Sequence, residues 1–265
     1  MSTYKPLAEK LRPSDLNDFI GQRHLLDSDK PIGKALSDKQ LHSMILWGPS
    51  GVGKTTLARI ICAQMGAHFE QMSAVLDGIK ELRNVIKHAE LYKQNDTSTI
   101  LFVDEIHRFN KAQQDAFLPH IESGLITLIG ATTENPSFEI NSSVLSRARV
   151  YILNKLSSKE LESIAVRALT GQAITLENDG SLSLIIDSSD GDARRLINII
   201  EQLTHKSNHA LSKKDIVKTL QSKVSSFDKG GDIYYEQLSA FHKSVRGSSP
   251  DGALYWMARM IVSGC

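Results

Sequence analysis

The residues with the plainest chemistry lie in SMILWGPSGVGKTTLARIICAQMG, residues 43 to 66. The loop Gly48-Pro49-Ser50-Gly51-Val52-Gly53-Lys54-Thr55, with Thr56 after it, fits the pattern GxxxxGK[ST]. Glycines let backbone N–H groups turn inward around an anion, and the helix N-terminus that follows adds partial positive charge. In this pattern the lysine, Lys54, reaches β- and γ-phosphates, and the Thr55 hydroxyl ligates Mg²⁺. The pattern carries weight only between a strand and a helix. Met44 to Trp47 reads as a short buried strand, and Leu57, Ile60 and Ile61 give helical spacing from Thr56 onward. In that context a turn that merely packs a strand on a helix is the weaker reading. The loop is expected to bind a nucleoside triphosphate.

A second constellation follows in STILFVDEIH, residues 98 to 107. An apolar, β-branched run that ends in Asp104-Glu105 reads as a buried parallel strand reaching its carboxyl edge, where ligands sit in open α/β sheets. Asp104 there can hold the hydration shell of Mg²⁺, and Glu105 can polarise the water that attacks the γ-phosphate. Another apolar strand, Leu125 to Gly130, exits into ATTENPSF. Thr133 could touch the γ-phosphate or the water, with Asn135 as a second candidate; loop capping and Asn-Pro turn chemistry compete with both. Arg147 and Arg149 follow a short helix and precede a last strand, Val150 to Leu153. In an ATPase whose own site lacks a transition-state cation, such an arginine is a candidate finger acting in a neighbouring subunit. Arg194 opens a later helix, where a cation opposes the helix dipole; an anion to bind or a simple salt bridge would explain it equally.

The elements that must carry these residues follow from patterning. Pro6 to Pro13 reads as irregular, with a helical turn ending at Ile20-Gly21-Gln22, and Gly33 to Leu41 as a helix before the phosphate-loop strand. His68 to Ala74 is expected as a strand. Asp77 to Lys93, with Ile79, Leu82, Val85, Ile86 and Ala89 on one side, is expected as an amphipathic helix whose other face carries Lys80, Arg83, Lys87 and His88. His107 to Glu122 reads as a helix that Pro119 should kink or end early. From Ser157 the pattern is helical only: a Ser157/Glu160 capping box opens Lys159 to Leu169, and Asp179 to Ser188 follows. Gly191-Asp192-Ala193-Arg194-Arg195 opens a third helix ending near His205, and Ser212 with Asp215 caps a fourth to Lys223. SSFDKGGD, residues 225–232, is a linker by composition. YYEQLSAFHKSVRG and PDGALYWMARMIV make two more helices. The second displays Leu254, Trp256, Met257, Met260 and Ile261, the start of a further helical unit.

Composition narrows the class. The 41% hydrophobic and 23% charged residues are those of a soluble globular protein, and no run approaches the length of a membrane span. Met1 to Phe19 is polar and lacks a signal-peptide core. Two cysteines, Cys62 and Cys265, cannot build a disulfide framework, which fits a reducing intracellular compartment. A net charge of +1 means that any nucleic-acid surface is a local patch.

The order GPSGVGKT, ILFVDEIH, GATTENPSF, LSRAR and GDARR resembles an AAA+ ATPase of the clamp-loader type. PLAEKLRPSDLNDFIGQRHLL, DEIHRFNKAQQDAFLPHIESG, GATTENPSFEIN and SVRGSSPDGALYWMARMI further resemble the replication-associated recombination protein A family, which includes the Werner-helicase-interacting proteins. The resemblance covers essentially the whole chain. It implies an α/β P-loop AAA+ domain, a parallel sheet flanked by helices, over residues 1–154. A helical lid follows over 155–224, then the linker, and then the start of a helical C-terminal domain over 233–265. It makes Gly48 to Thr55 the Walker A loop, Asp104 and Glu105 Walker B, Thr133 sensor 1, Arg147 the arginine finger and Arg194 sensor 2. Ile20-Gly21 becomes the adenine-side segment.

The implied activity is DNA-stimulated ATP hydrolysis, with ATP and Mg²⁺, at stalled forks, gaps and duplex ends. Single-stranded-DNA-binding protein is the implied partner, and a homo-tetramer formed through the C-terminal domain the implied assembly. The sequence stops just inside that domain, so it reads as an N-terminal fragment. A bacterial source would place it in the cytoplasm, at the nucleoid. Competing readings are a clamp-loader subunit, a branch-migration motor and a non-hydrolysing nucleotide-dependent scaffold; Lys54, Asp104, Glu105 and Arg147 weigh against the last. A two-lobed helicase and a metabolite kinase fit poorly.

Overall fold

Apolar runs without alternation form strands covered on both faces, and a sheet of such strands is parallel with helices above and below. The computed structural model describes residues 5–204, 210–224 and 232–262 and has this arrangement. Short helical turns α1 (Leu7–Lys10), α2 (Arg23–Leu26) and α3 (Pro31–Ser37) lead to β1 (Met44–Trp47). Then come α4 (Lys54–Met65), β2 (His68–Ser73), α5 (Ile79–Lys93) and β3 (Thr99–Asp104). A 3-10 turn (Ile106–Arg108) and helices α6 (Lys111–Asp115) and α7 (Leu118–Glu122) precede β4 (Ile126–Thr132). α8 (Pro136–Glu139) and α9 (Ser142–Leu145) precede β5 (Arg149–Ile152). The remainder is helical: α10 (Ser158–Gly171), α11 (Ser181–Ser189), α12 (Ala193–Thr204), α13 (Lys213–Val224), α14 (Asp232–Arg246) and α15 (Pro250–Val262).

The sheet runs β2-β3-β4-β1-β5, and every pairing is parallel. Successive strand residues leave on opposite faces. Met44, Leu46, Ile100 and Phe102 pack with Ile32 of α3 and Leu57 and Ile61 of α4. Ile45, Leu101 and Val103 pack on the other face with Leu82, Val85 and Ala89 of α5. The ends of β1, β3 and β4 therefore open side by side at one edge, which is where the loop before α4 and the Asp104-Glu105 pair lie.

The helical region has its own core, which includes Leu161, Ala165, Ile185, Leu196 and Ile200. The capping box of α10 forms as expected: Ser157 Oγ accepts from Glu160 N–H at 3.4 Å and Glu160 Oε2 accepts from Ser157 N–H at 2.7 Å. Leu7 also belongs to this core, and its N–H donates to Glu201 Oε1 at 2.8 Å. The start of the chain thus packs on the helical unit, across the division expected between 1–154 and 155–224.

Several elements differ from expectation. The segment expected as one helix from His107 to Glu122 is three pieces. Asn110 and Gln113 form a reciprocal capping box that starts α6 afresh, and Pro119 lies in the first turn of α7, where its missing N–H costs nothing. The helical turn expected to end at Ile20-Gly21-Gln22 is instead a bent segment. Helical turns stand at Leu7–Lys10 and Arg23–Leu26, and the positive φ of Gly21 and Gln22 breaks any helix immediately before Arg23. The helix expected over Gly33 to Leu41 begins at Pro31 and ends at Ser37. In α15, Leu254, Met257 and Ile261 are exposed as expected, while Trp256 and Met260 are half-buried. Of the expected linker, residues 225–231 lie outside the described residues, as do His205 and Ser263-Gly264-Cys265; Asp232 opens α14. Among the described residues no helix is long and apolar enough to cross a membrane.

Phe102 is fully buried in β3, its ring 6.1 Å from that of Phe69. Phe102→Ala should cost about 3–5 kcal/mol, read as a lower urea midpoint for the α/β unit, without loss of the α10–α12 core.

Candidate functional site

Ser50 to Thr56 line a cleft between the sheet edge and the helical unit. Asp104 and Glu105 reach it from the end of β3, Ile20 from the N-terminal segment and Arg194 from the first turn of α12. The loop that makes one wall is built around glycine. Gly51 (φ +66°) and Gly53 (φ +100°) lie in the region that L side chains rarely adopt. A Cβ on Gly51 would stand 1.7 Å from Asp192 Oδ1, and one on Gly53 2.8 Å from the Phe19 ring.

Lys54 is buried at the start of α4, and its ammonium donates to the carbonyls of Gly48 at 2.6 Å and Pro49 at 2.8 Å. Burial pushes its pKa down, the Glu105 and Asp104 carboxylates pull it back up, and Arg194 again lowers it. Lys54 thus has carboxylates on one side and the loop's own carbonyls on the other. Gly48 and Pro49 serve through those carbonyls and do not line the cleft. Glu105 adopts φ +51°, ψ +46°, left-handed backbone that a non-glycine residue takes only when its surroundings hold it there.

The helical unit grips the same loop. Ser50 Oγ donates to Asp192 Oδ2 at 2.8 Å, and Ala193 N–H donates to Gly51 O at 3.2 Å. Asp192 Oδ1 also accepts from Arg195 N–H at 2.8 Å, so one carboxylate caps α12 and holds the loop.

Other expected residues stand elsewhere. Gly21 does not line the cleft; its α-carbon faces Leu156, whose Cδ2 would be 2.6 Å from a Cβ there. Its neighbour Gln22 pairs twice with the Asn154 backbone, at 2.8 and 2.9 Å, which fixes the segment to the end of the α/β unit. Thr133 is exposed, its carbonyl accepts from Trp47 Nε1 at 3.3 Å, and it lines a second cavity with Pro49, Ser50 and Glu134. Asn135 caps α8 by accepting from Ser137 N–H at 3.0 Å, the turn chemistry that Asn-Pro suggests. Arg147 lies outside the cleft of its own chain: Nε donates to Glu122 Oε1 at 2.6 Å and Nη1 to Ser143 O at 2.9 Å. Arg149 opens the exposed edge strand β5.

The sequence reading missed Arg12, which lines the cleft. Its Nη1 donates to Thr56 Oγ1 at 3.3 Å and its Nε to Glu9 Oε2 at 2.9 Å, which holds the Glu9 carboxyl below the usual range. The only signal was its place before Pro13, whose ring restricts the backbone of Arg12. It also missed Asp18, which pairs with Arg167 of α10 at 3.3 Å and ties the N-terminal segment to the helical unit.

Gly51→Ala would drive a methyl group into Asp192 and should weaken nucleotide binding at least about tenfold, measured by titration with a fluorescent ATP analogue. Gly66→Ala, at φ +62° with open space around it, is the control: it should cost only local backbone strain and leave binding unchanged.

A family model described as the Holliday junction DNA helicase RuvB P-loop domain matches residues 11–148, more than half of the chain, and an AAA C-terminal domain matches 170–246. The replication-associated recombination protein A of Escherichia coli K12 is 49% identical over 276 residues, covering 99% of this chain and 62% of that protein. The ATPase WRNIP1 of Dictyostelium discoideum is 42% identical over 289 residues, covering 99% of this chain and 33% of that protein. The solved Thermotoga maritima RuvB Holliday junction branch migration motor superposes with a TM-score of 0.71 at 27% identity, over 89% of this chain and 80% of that one. The chain spans about three fifths of the length of the bacterial relatives named replication-associated recombination protein A. A P-loop matched across more than half of the chain, on the expected sheet, settles the family: the chain belongs to the AAA+ proteins with a RuvB-type P-loop domain, on the branch of replication-associated recombination protein A and WRNIP1.

Proposed function

We propose that this chain hydrolyses ATP in DNA maintenance and that its turnover is stimulated by DNA at forks, gaps or duplex ends. The observation that carries the reading is the single cleft lined by the loop Ser50–Thr56, the Asp104-Glu105 pair and Arg194. The glycine cradle, the buried Lys54 and the carboxylates at its mouth fit a nucleoside triphosphate with its magnesium ion. Among the described residues no group of three or more His, Cys, Asp or Glu forms a metal cage. The donors present, the Thr55 hydroxyl and Asp104 acting through water, suit a Mg²⁺ that keeps waters and substrate phosphates as its other ligands. When bound, that ion neutralises charge on the β- and γ-oxygens.

The chain's own residues then divide the work. Backbone N–H groups of Ser50 to Thr55 and the α4 N-terminus bind phosphate oxygens, and Lys54 exchanges its loop carbonyls for them. Ile20 and Phe19 cover the base side. Glu105 takes the proton of the attacking water as the water oxygen adds in line to the γ-phosphorus and the bond to the β–γ bridging oxygen breaks, which releases ADP and phosphate. Arg194 reaches the γ-phosphate from the helical unit. Arg147, engaged with Glu122 in its own chain, serves a neighbouring copy as the arginine finger. Thr133, which lines the neighbouring cavity beside Ser50, or Asn135, which caps α8, would have to turn toward the cleft to report the γ-phosphate from the end of β4. Magnesium ATP, DNA junctions, single-stranded-DNA-binding protein and, for the full-length family, a homo-tetramer are the partners this reading takes from the family resemblance; a bacterial source would place them in the cytoplasm at the nucleoid. Arg108 and Lys111, which cluster after Glu105 and are exposed, line the DNA path; His107 of the same cluster is mostly buried and turns toward Thr132 instead.

Lys54→Ala should abolish ATP binding. Glu105→Gln should keep binding and reduce turnover by at least about 100-fold. Normal hydrolysis by the Glu105→Gln protein would overturn the base assignment. Reversing charge at Arg108 and Lys111 should weaken binding to gapped DNA and flatten its salt slope; an unchanged slope would remove them from the path. The likeness to the branch migration motor supports a second reading. Greater stimulation by four-way junctions than by forks or gaps would favour it. Absence of turnover with any DNA, in this chain and in one extended to the length of its relatives, would favour the non-hydrolysing scaffold.

A further inference from the structure

Behind Glu105 lies a short polar chain with no assigned role. Glu105 Oε2 is shut off from solvent and makes no hydrogen bond among the described residues; His107 Nδ1 stands 3.3 Å away, off the hydrogen-bonding line. The same Nδ1 lies 2.9 Å from Oγ1 of Thr132, which is fully buried at the end of β4. Thr132 Oγ1 in turn accepts from Glu134 N–H at 3.0 Å and donates to Glu134 O at 3.3 Å.

We assign the tautomer from these contacts. With the single Thr132 hydroxyl hydrogen on the Glu134 carbonyl at 3.3 Å, a lone pair of Oγ1 accepts from His107 at 2.9 Å. Nδ1 therefore carries the hydrogen, aimed at Thr132 and leaning toward the Glu105 carboxylate. The opposite tautomer would set a nitrogen lone pair against a desolvated carboxylate oxygen, an arrangement that nothing nearby offsets. His107 is itself mostly buried, and it lies in the 3-10 turn that begins where Glu105 takes its left-handed conformation.

We propose that His107 is the positioning residue for Glu105. It holds Oε2 so that Oε1 is presented to the cleft, and through Thr132 it ties that carboxylate to the loop Thr133–Asn135 after β4. The inference rests on Glu105 acting as the general base. It adds that the base is oriented by a close polar contact with His107, which Thr132 hydrogen-bonds in turn to the loop that carries Thr133, with His107 touching neither nucleotide nor water.

The test uses this chain, with ATP and gapped DNA. His107→Ala should lower kcat roughly 10- to 100-fold, the range for loss of an orienting partner, and leave the nucleotide Kd within about twofold. His107→Asn, whose amide N–H can stand in for Nδ1–H, should recover at least about tenfold of the loss, and Thr132→Val should resemble His107→Ala. A kcat within twofold of wild type for His107→Ala overturns the proposal. So does a raised kcat, which would make His107 a restraint on the base, and so does failure of His107→Asn to rescue a Kd-neutral loss. A second readout does not need turnover: the ¹⁵N spectrum of His107 should show the Nδ1–H tautomer, with its signal displaced by both Glu105→Gln and Thr132→Val. A dominant Nε2–H tautomer overturns the proposal. If wild type does not hydrolyse ATP while the tautomer and both displacements are as stated, the positioning of Glu105 stands and the ATPase reading fails.

Discussion

The loop that begins at Gly48 is pressed from two sides where only hydrogen fits. The Asp192 carboxylate closes on Gly51, and the Phe19 ring closes on Gly53. These walls come from different parts of the chain, one from the helical unit and one from the N-terminal segment. The loop's shape is therefore a product of tertiary packing as much as of its own glycines. Whatever displaces either wall alters the cradle, so the cradle and the arrangement of the surrounding elements are one structural fact.

Electrostatics follow from that packing. Lys54 is drawn out of solvent, which disfavours its charge, and two carboxylates at the end of β3 restore part of the balance. The site in this form is a cation looking inward at carbonyl oxygens, with acidic groups across the cleft. An entering polyphosphate brings the anionic charge that the buried ammonium lacks. The strained backbone at Glu105 belongs to the same economy, since a residue held in the left-handed region directs its side chain where a relaxed strand end would not.

Much of this was legible in the residues. The unbroken apolar runs at Met44–Trp47 and Ser98–Val103 specify strands buried on both faces. The loop and the acidic pair, each directly after an apolar strand, come to one sheet edge, and Ser157 with Glu160 announces the start of α10. The breaks lie where the deciding contact is distant in sequence. Leu7 has no local reason to be helical; its partner Glu201 is 194 residues away. Asp192 reads as an ordinary helix cap, and only the fold brings it to Ser50 and Gly51. Thr132 is hidden behind Thr133 in the string ATTENP, and burial alone distinguishes the two. One miss was readable: Asn110 and Gln113 are a capping pair, and they divide what periodicity alone made a single helix.

The N-terminal turn has a mechanical consequence. Leu7 is moored in the core of the helical unit, and Arg12 touches Thr56 beside the cleft. Five residue steps separate them, which even fully drawn out span at most about 18 Å. The covalent chain is thus a leash across the mouth of the site. While both ends hold, the distance between Leu7 in the helical unit's core and Arg12 beside Thr56 cannot exceed that span.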